Sequence, residues 1–217
     1  MTLIVKIGGS LTRGAAPRAL LAHLARRRGL VVVPGGGALA DAVRAVQPQW
    51  SLSDGAAHRM ALLAMEQMAH AMRDIEPRLR PARTLPELAA ASGIGTALWF
   101  PAALTLDHPA ITESWDVTSD SLALWLAAEM GARRLVLVKA PGIALPAPSG
   151  NRAADLAAWT ARALVDAAFA TMAQRFSGDI LLVPADAADR LDDALSLTEA
   201  AGRAQRNEDD KEGAPSP

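Results

Sequence analysis

The sequence predicts an α/β fold, a three-layer α/β/α sandwich with a mainly parallel central sheet. Three observations lead there. Short apolar runs of strand length recur at Leu3–Ile7, Leu30–Val33, Ala97–Phe100, 134–139 and 179–183. Stretches with apolar residues at helical spacing separate most of them. Glycine- or proline-rich loops follow the strand candidates directly, the hallmark of strand-loop-helix units in a parallel sheet.

Leu3–Ile7 ends in Gly8-Gly9-Ser10, a buried strand feeding a tight loop. Helical spacing of Leu20, Leu21 and Leu24 predicts a helix over 15–28, closing on Arg26-Arg27-Arg28-Gly29, where basic residues suit a helix C-terminus. Strand 30–33 leads through Pro34-Gly35-Gly36-Gly37 into a helix over 38–46. A long helix over 53–76 follows, with Ser53 or Asp54 as N-cap. On it Ala61, Met65, Met68, Met72 and Ile75 form an apolar face opposite Arg59, Glu66, His70 and Arg73. From Pro77 to Pro109 prolines interrupt the pattern, and Ala97–Phe100 is the best strand. Then come helix 118–130, strand 134–139, a Pro/Gly loop at 140–152, helix 155–175, strand 179–183 and helix 187–200. Residues 1–202 read as one domain. The polar stretch 203–217 has too little apolar content to fold alone and reads as a disordered tail.

Composition narrows the function. With 22 Lys+Arg against 23 Asp+Glu, the formal net charge of −1 gives no basic field for nucleic acid. No apolar run approaches the ~20 residues of a membrane span. Absence of cysteine excludes disulfides and thiolate metal sites. A cytoplasmic protein with a small-molecule ligand is expected, and the face of helix 53–76 suits pairing in a homo-oligomer. The basic residues split as 19 Arg to three Lys in a chain with 48 Ala. Against that bias Lys6 and Lys139 each end an apolar run. A lysine is a compact point charge on a flexible stem, suited to phosphate oxygens where a guanidinium fork is not.

Four loops carry candidate chemistry. Lys6-Ile7-Gly8-Gly9-Ser10 and Pro34-Gly35-Gly36-Gly37 let backbone N–H groups approach an anion closely, and neither has Walker spacing. Trp115-Asp116-Val117-Thr118-Ser119-Asp120-Ser121 opens a helix, with Thr118 or Ser119 as cap. Its two acids exceed what capping needs and suit a cation, either a lysine ammonium or Mg²⁺. The fourth loop, Lys139-Ala140-Pro141-Gly142, brings the second lysine to a strand's carboxyl end. His58 falls on the stripe of Leu62, Met65 and Ala69, which suits either a satisfied core histidine or, with Arg59, a cationic donor to a ligand phosphate. Asp166, among Val165 and Ala167-Ala168-Phe169, must face solvent, a cap or a cationic ligand.

Together the two glycine loops, the two lysines and the acid pair resemble the amino-acid kinase superfamily, over about residues 2–183. Lys6 to Ser10 matches its opening and Gly35-Gly36-Gly37 its second glycine loop. Thr118-Ser119-Asp120-Ser121-Leu122-Ala123 resembles the Thr-Thr-Asp-Ser-Ala-Ala of uridylate kinases, and Val138-Lys139-Ala140 their Leu-Lys-Ala. The segments 53–67 and 164–169 are similar to the smaller branch with the [5-(aminomethyl)-3-furyl]methyl phosphate kinase of methanofuran biosynthesis. Lys139-Ala140-Pro141-Gly142-Ile143 departs from the superfamily's usual nucleotide loop, and no terminal Gly-Thr strand is recognisable after Leu197.

The resemblance implies ATP-dependent phosphorylation of a phosphate monoester, with Mg²⁺ entering on the ATP phosphates. The implied acceptor is [5-(aminomethyl)furan-3-yl]methyl phosphate; the alternatives are UMP or a non-catalytic nucleotide or oxyanion binder on the same fold. In that reading Lys6 and Lys139 serve the β/γ-phosphates, with Asp120 orienting them and Asp116 in support. Gly8, Gly9, Ser10, Gly35, Gly36, Gly37 and Gly142 line the nucleotide and phosphate sites. Asp54, His58, Arg59 and Asp166 surround the acceptor, Asp166 pairing with its ammonium.

Overall fold

The computed structural model describes residues 2–8 and 16–196. Gly9, Ser10 and the stretch 203–217 lie outside the described residues. In chain order the elements are β1 (Leu3–Ile7), α1 (Ala16–Leu24), β2 (Leu30–Pro34), α2 (Gly37–Gln49), α3 (Asp54–Ile75), β3 (Arg80–Ala82), α4 (Leu85–Ile94) and β4 (Thr96–Trp99). They continue as α5 (Ala102–Thr105), α6 (Ser119–Glu129), β5 (Arg134–Lys139), α7 (Arg152–Ala161), α8 (Phe169–Met172), β6 (Asp179–Pro184) and α9 (Ala188–Leu195). All neighbouring strands run parallel, in the order β3-β4-β2-β1-β5-β6. The chain builds from β1 toward β3 and β4, then returns past β1 to lay down β5 and β6. That reversal beside β1 is where an open parallel sheet leaves a crevice at its strand carboxyl ends.

Both faces of the sheet are covered, which is why its strands are apolar at nearly every position. Ile4, Val31, Ala97, Leu135 and Leu137 pack with α6 and Phe169 on one face. Leu3, Val5, Val32, Val136 and Val138 pack with α1 and α9 on the other. Helix α3 serves both cores, giving Leu62 and Met65 to the first and Ala69 and Met72 to the second. Its N-cap is Ser53, whose hydroxyl accepts from the Ala56 amide at 3.2 Å.

Several expected elements change. β3 and α4 were not anticipated, because a three-residue strand has no period to detect and Pro81 and Pro86 suggest loop. In fact Pro86 sits in the first turn of α4, where its missing N–H costs nothing, and Thr84 caps that helix by accepting from the Glu87 amide. Helix α2 runs past Pro48 to Gln49, since a proline in a last turn removes one hydrogen bond without ending the helix. Helix α1 stops at Leu24, short of the arginine run. The continuous helix expected over 155–175 is two separate helices, and Ala163, at a φ of 51°, breaks the path between them. Asp166 therefore lies in a turn and not inside a helix.

Candidate functional site

Alternation along a strand places Lys6 on the same face as Ile4, and Lys139 on the same face as Leu135 and Leu137. In register Lys6 lies opposite Leu137, so Lys139 is two residues further along the neighbouring strand and faces the same way. Both side chains therefore meet α6, whose residues from Asp120 to Ala127 are all buried. The first turn of that helix carries Asp120 to the two lysines. Lys6 Nζ lies 2.9 Å from Asp120 Oδ1, and Lys139 Nζ lies 3.0 Å from each carboxylate oxygen. The side chains of Lys6, Lys139 and Asp120 are 6%, 8% and 11% exposed.

Two ammonium groups around one carboxylate sum to +1, offset in part by the Asp166 carboxylate, which also attracts Lys139. Burial disfavours the charged form of Asp120, but Lys6 and Lys139 outweigh it and hold its pKa below the ordinary aspartate value. Burial, and then repulsion from Lys6, lower Lys139 to about 8, against the attraction of Asp120 and Asp166. A cluster with surplus positive charge out of water favours an anion as its partner.

Asp166 is the cap of α6. Its Oδ2 accepts from the Thr118 amide at 2.9 Å, the Thr118 hydroxyl at 2.8 Å and the Ser121 amide at 3.0 Å, while Oδ1 accepts from the Ser121 hydroxyl. Thr118 holds the N-cap position without making the side-chain cap itself. These four hydrogen bonds involve both oxygens of Asp166, three on Oδ2 and one on Oδ1, so the carboxylate fixes the helix that carries Asp120. Asp116 is exposed and stands apart from the lysines, so the second acid of the motif does not join the cation cluster.

The glycine loops divide in role. The Gly8 amide donates to Val138 O at 3.2 Å and the Gly35 amide to Ile7 O at 2.9 Å, so both extend the sheet and neither is free for phosphate. Gly36, at φ −71° and ψ −19°, precedes Gly37 at φ 55°. A right-handed residue followed by a left-handed one turns successive N–H groups into one concavity suited to an anion. A Cβ on Gly36 would stand 2.6 Å from the Ala40 Cβ, so only glycine fits the turn. Gly142, at φ 72°, lies exposed in the loop after β5, its amide 3.3 Å from Asp186 Oδ2.

Gly36 and Gly37 open onto a cavity of about 330 Å³ bounded by α2, α3 and the start of α6. Leu62, Met65, Val117 and Leu122 supply apolar wall; Thr118, Ser119, Arg44 and His58 supply polar groups. Thr118 and Ser119 belong to the same helix start as Asp120, so the cavity and the lysine cluster share a wall. His58 is 3% exposed, with Nδ1 2.9 Å from the Ser114 carbonyl and Nε2 without a partner.

Two expected neighbours stay outside the cavity. Arg59 points away to Glu113, at 2.7 Å, and Asp107, at 2.9 Å, clamping α3 to the 107–113 loop. Asp54 accepts from Gln47 Nε2 at 2.8 Å, and Gln47 Oε1 accepts in turn from Trp115 Nε1 at 2.6 Å. Asp54 thus reaches the cavity only through a relay that fixes Trp115, over whose ring Arg44 stacks at 4.3 Å. Trp115, Arg44 and Gln47 were not singled out from sequence. The indole beside the acid motif was their one signal. Among the described residues no group of three or more acidic or histidine side chains could hold a metal ion.

No family model matches the sequence. Over 138 residues it is 30% identical to the [5-(aminomethyl)furan-3-yl]methyl phosphate kinase of Methanocaldococcus jannaschii. The match covers 62% of this chain and 63% of that one, so the chain spans less than two thirds of the relative's length. The uridylate kinase of Archaeoglobus fulgidus superposes with a TM-score of 0.61 at 15% identity, over 86% of this chain and 93% of that one. The UMP kinase of Ureaplasma parvum gives 0.64 at 14% identity, over 88% and 95%. Likeness at these identities establishes the fold, and it is the amino-acid kinase fold expected from the sequence motifs.

Proposed function

We propose that this protein transfers the γ-phosphoryl group of ATP to a small phosphate monoester, releasing a diphosphate and ADP. The observation that carries the reading is the buried Lys6–Asp120–Lys139 cluster, whose surplus positive charge lies at the strand carboxyl ends beside a glycine anion turn and an open cavity. Phosphoryl transfer asks little covalent chemistry of a protein. It needs the two reactants aligned and the charge on the transferring oxygens neutralised. Lys6 and Lys139 supply that charge, and Asp120 holds both ammonium groups at one point. The Gly36–Gly37 turn takes the acceptor's phosphate. No general base is needed, because a phosphate monoester is already ionised at neutral pH. Mg²⁺ comes with ATP as its phosphate complex, since both Asp120 oxygens are already held by lysines.

The acceptor we favour is [5-(aminomethyl)furan-3-yl]methyl phosphate, on the strength of the 30% identical relative that carries this name. UMP is the second reading, favoured by the fold neighbours. Phosphorus NMR of the protein with Mg-ATP and each acceptor separates them. New diphosphate resonances with the furan phosphate support the proposal, and turnover of UMP alone replaces the substrate. Unchanged ATP with every acceptor removes the kinase reading in favour of a binder.

A further inference from the structure

His58 holds a buried nitrogen that nothing in the fold uses. Its Nδ1 lies 2.9 Å from the Ser114 carbonyl oxygen. A carbonyl only accepts, so Nδ1 carries the proton of that hydrogen bond. In the neutral ring this fixes the tautomer and leaves the lone pair on Nε2. Nε2 is buried without a partner, and His58 is among the residues lining the cavity that also presents Gly36, Gly37 and Thr118, so a ligand would reach Nε2 with a small shift of the ring. Leaving such an atom unpaired costs about 1–3 kcal/mol, a cost that a ligand's N–H or O–H would remove.

The cavity's other polar groups are mostly donors, Arg44 among them, and the lining carboxylate, Asp41, is paired with Arg44 at 3.2 Å. The Gly36–Gly37 turn offers donors, so it takes an anion, whereas the Thr118 and Ser121 amides at the start of α6 already donate to Asp166. His58 on α3 offers an acceptor, so it takes a donor. With apolar wall at Leu62, Met65 and Val117 between these groups, the matching ligand is short, apolar in the middle, anionic at one position and hydrogen-bond-donating at another.

We infer that His58 Nε2 is the specificity-determining acceptor of this site, receiving an N–H from the ammonium of an amine-bearing phosphate monoester. The inference rests on the acceptor subsite of the proposed function. It replaces two sequence expectations, Asp166 as the ammonium's partner and His58 as a donor to phosphate. A ribose hydroxyl is the rival source of the same hydrogen bond.

The test measures binding and not turnover, in the presence of a non-hydrolysable ATP analogue. The ligands are [5-(aminomethyl)furan-3-yl]methyl phosphate, its analogue with ethyl in place of aminomethyl, and UMP. Wild type should bind the amine at least about tenfold more tightly than the ethyl analogue, the scale of one hydrogen bond to a charged donor. His58→Phe should abolish that preference. His58→Asn, which keeps a donor near the Nδ1 position but has nothing at Nε2, should abolish it too and guards against misfolding of the first variant. Nitrogen-15 NMR should show an unprotonated Nε2 in the free protein whose resonance moves upfield with the amine and not with the ethyl analogue. Equal binding of amine and ethyl ligands, binding of neither, or full discrimination retained in both variants would overturn the inference. Preference for UMP that is lost in both variants would replace the ammonium with a hydroxyl. Discrimination without ADP formation in the NMR assay removes the kinase reading and leaves this one standing; ADP formation without discrimination does the reverse.

Discussion

Arg59 sits between two carboxylates and Asp120 sits between two ammonium groups, so the molecule holds one arrangement twice with the signs reversed. Glu113 and Asp107 flank Arg59 where its side chain is 52% exposed. Lys6 and Lys139 flank Asp120 where none of the three exceeds 11%. Water and salt screen the surplus charge of the first cluster, so it can clamp a loop without further compensation. The surplus of the second is out of water. Stability alone gives no reason to bury a second lysine there, since a buried charge pair is already weak evidence for stability and an extra ammonium adds repulsion. On the proposed function the difference has a reason: the buried cluster awaits an anion, at some cost to the folded state.

Breaking the two clusters in the same way gives the largest effect. Asp120→Asn leaves two buried ammonium groups with a neutral partner and should destabilise the fold by about 3–5 kcal/mol, read from urea unfolding at pH 7. The matching Arg59→Gln should leave the unfolding midpoint nearly unchanged. Similar small changes in both would mean that the Asp120 cluster is no more coupled than a surface pair.

Next in size is the exchange of cation type. Lys6→Arg and Lys139→Arg should each lower turnover by about two orders of magnitude or more with folding retained, on the scale of a lost electrostatic donor. A guanidinium fork preserves the charge but cannot occupy the ammonium's place beside Asp120. Turnover close to wild type in Lys139→Arg would detach the nucleotide site from this cluster.

How far the sequence disclosed this site depended on which forces are local. The lysines were legible because arginine dominates the chain and two lysines ended apolar runs, and strand alternation then brought them together. Asp120 followed from its place in a helix's first turn. Asp166 stands out in the sequence as a carboxylate among apolar residues, but its four hydrogen bonds to Thr118 and Ser121 span more than forty positions and leave no periodic trace. The same holds for Gly8 and Gly35, whose amides a glycine-rich motif suggests are free and the sheet register consumes. Arg59 and His58 are adjacent in sequence, yet about 100° apart around a helix, which sends one to the surface and the other to the cavity. The strand and helix at 80–94 were hidden by prolines that the fold accommodates in a first turn and an edge strand.

The smallest effect sharpens the comparison by moving stability and activity in opposite directions. Lys139 stands at about 8 in the folded protein, lowered from 10.5 chiefly by burial. Between those values the unfolded chain binds more protons than the folded one, so stability should rise with pH from about 8 to 10.5, by at most about 3 kcal/mol. Below 8 both states hold the proton and the slope from this group vanishes. Few other groups confuse the measurement, because the chain has no tyrosine, no cysteine and only three lysines. Phosphate recognition needs the ammonium, so kcat/KM for ATP should fall about tenfold between pH 7 and 9, as expected for loss of one proton from the free enzyme. Bound phosphate oxygens favour the charged lysine, so kcat should hold to higher pH than kcat/KM. In Lys139→Met the stability slope and the alkaline fall in nucleotide affinity should disappear together. If the stability slope survives that substitution, another group sets it, and the buried cluster loses its claim to carry a functional strain that the Arg59 cluster lacks.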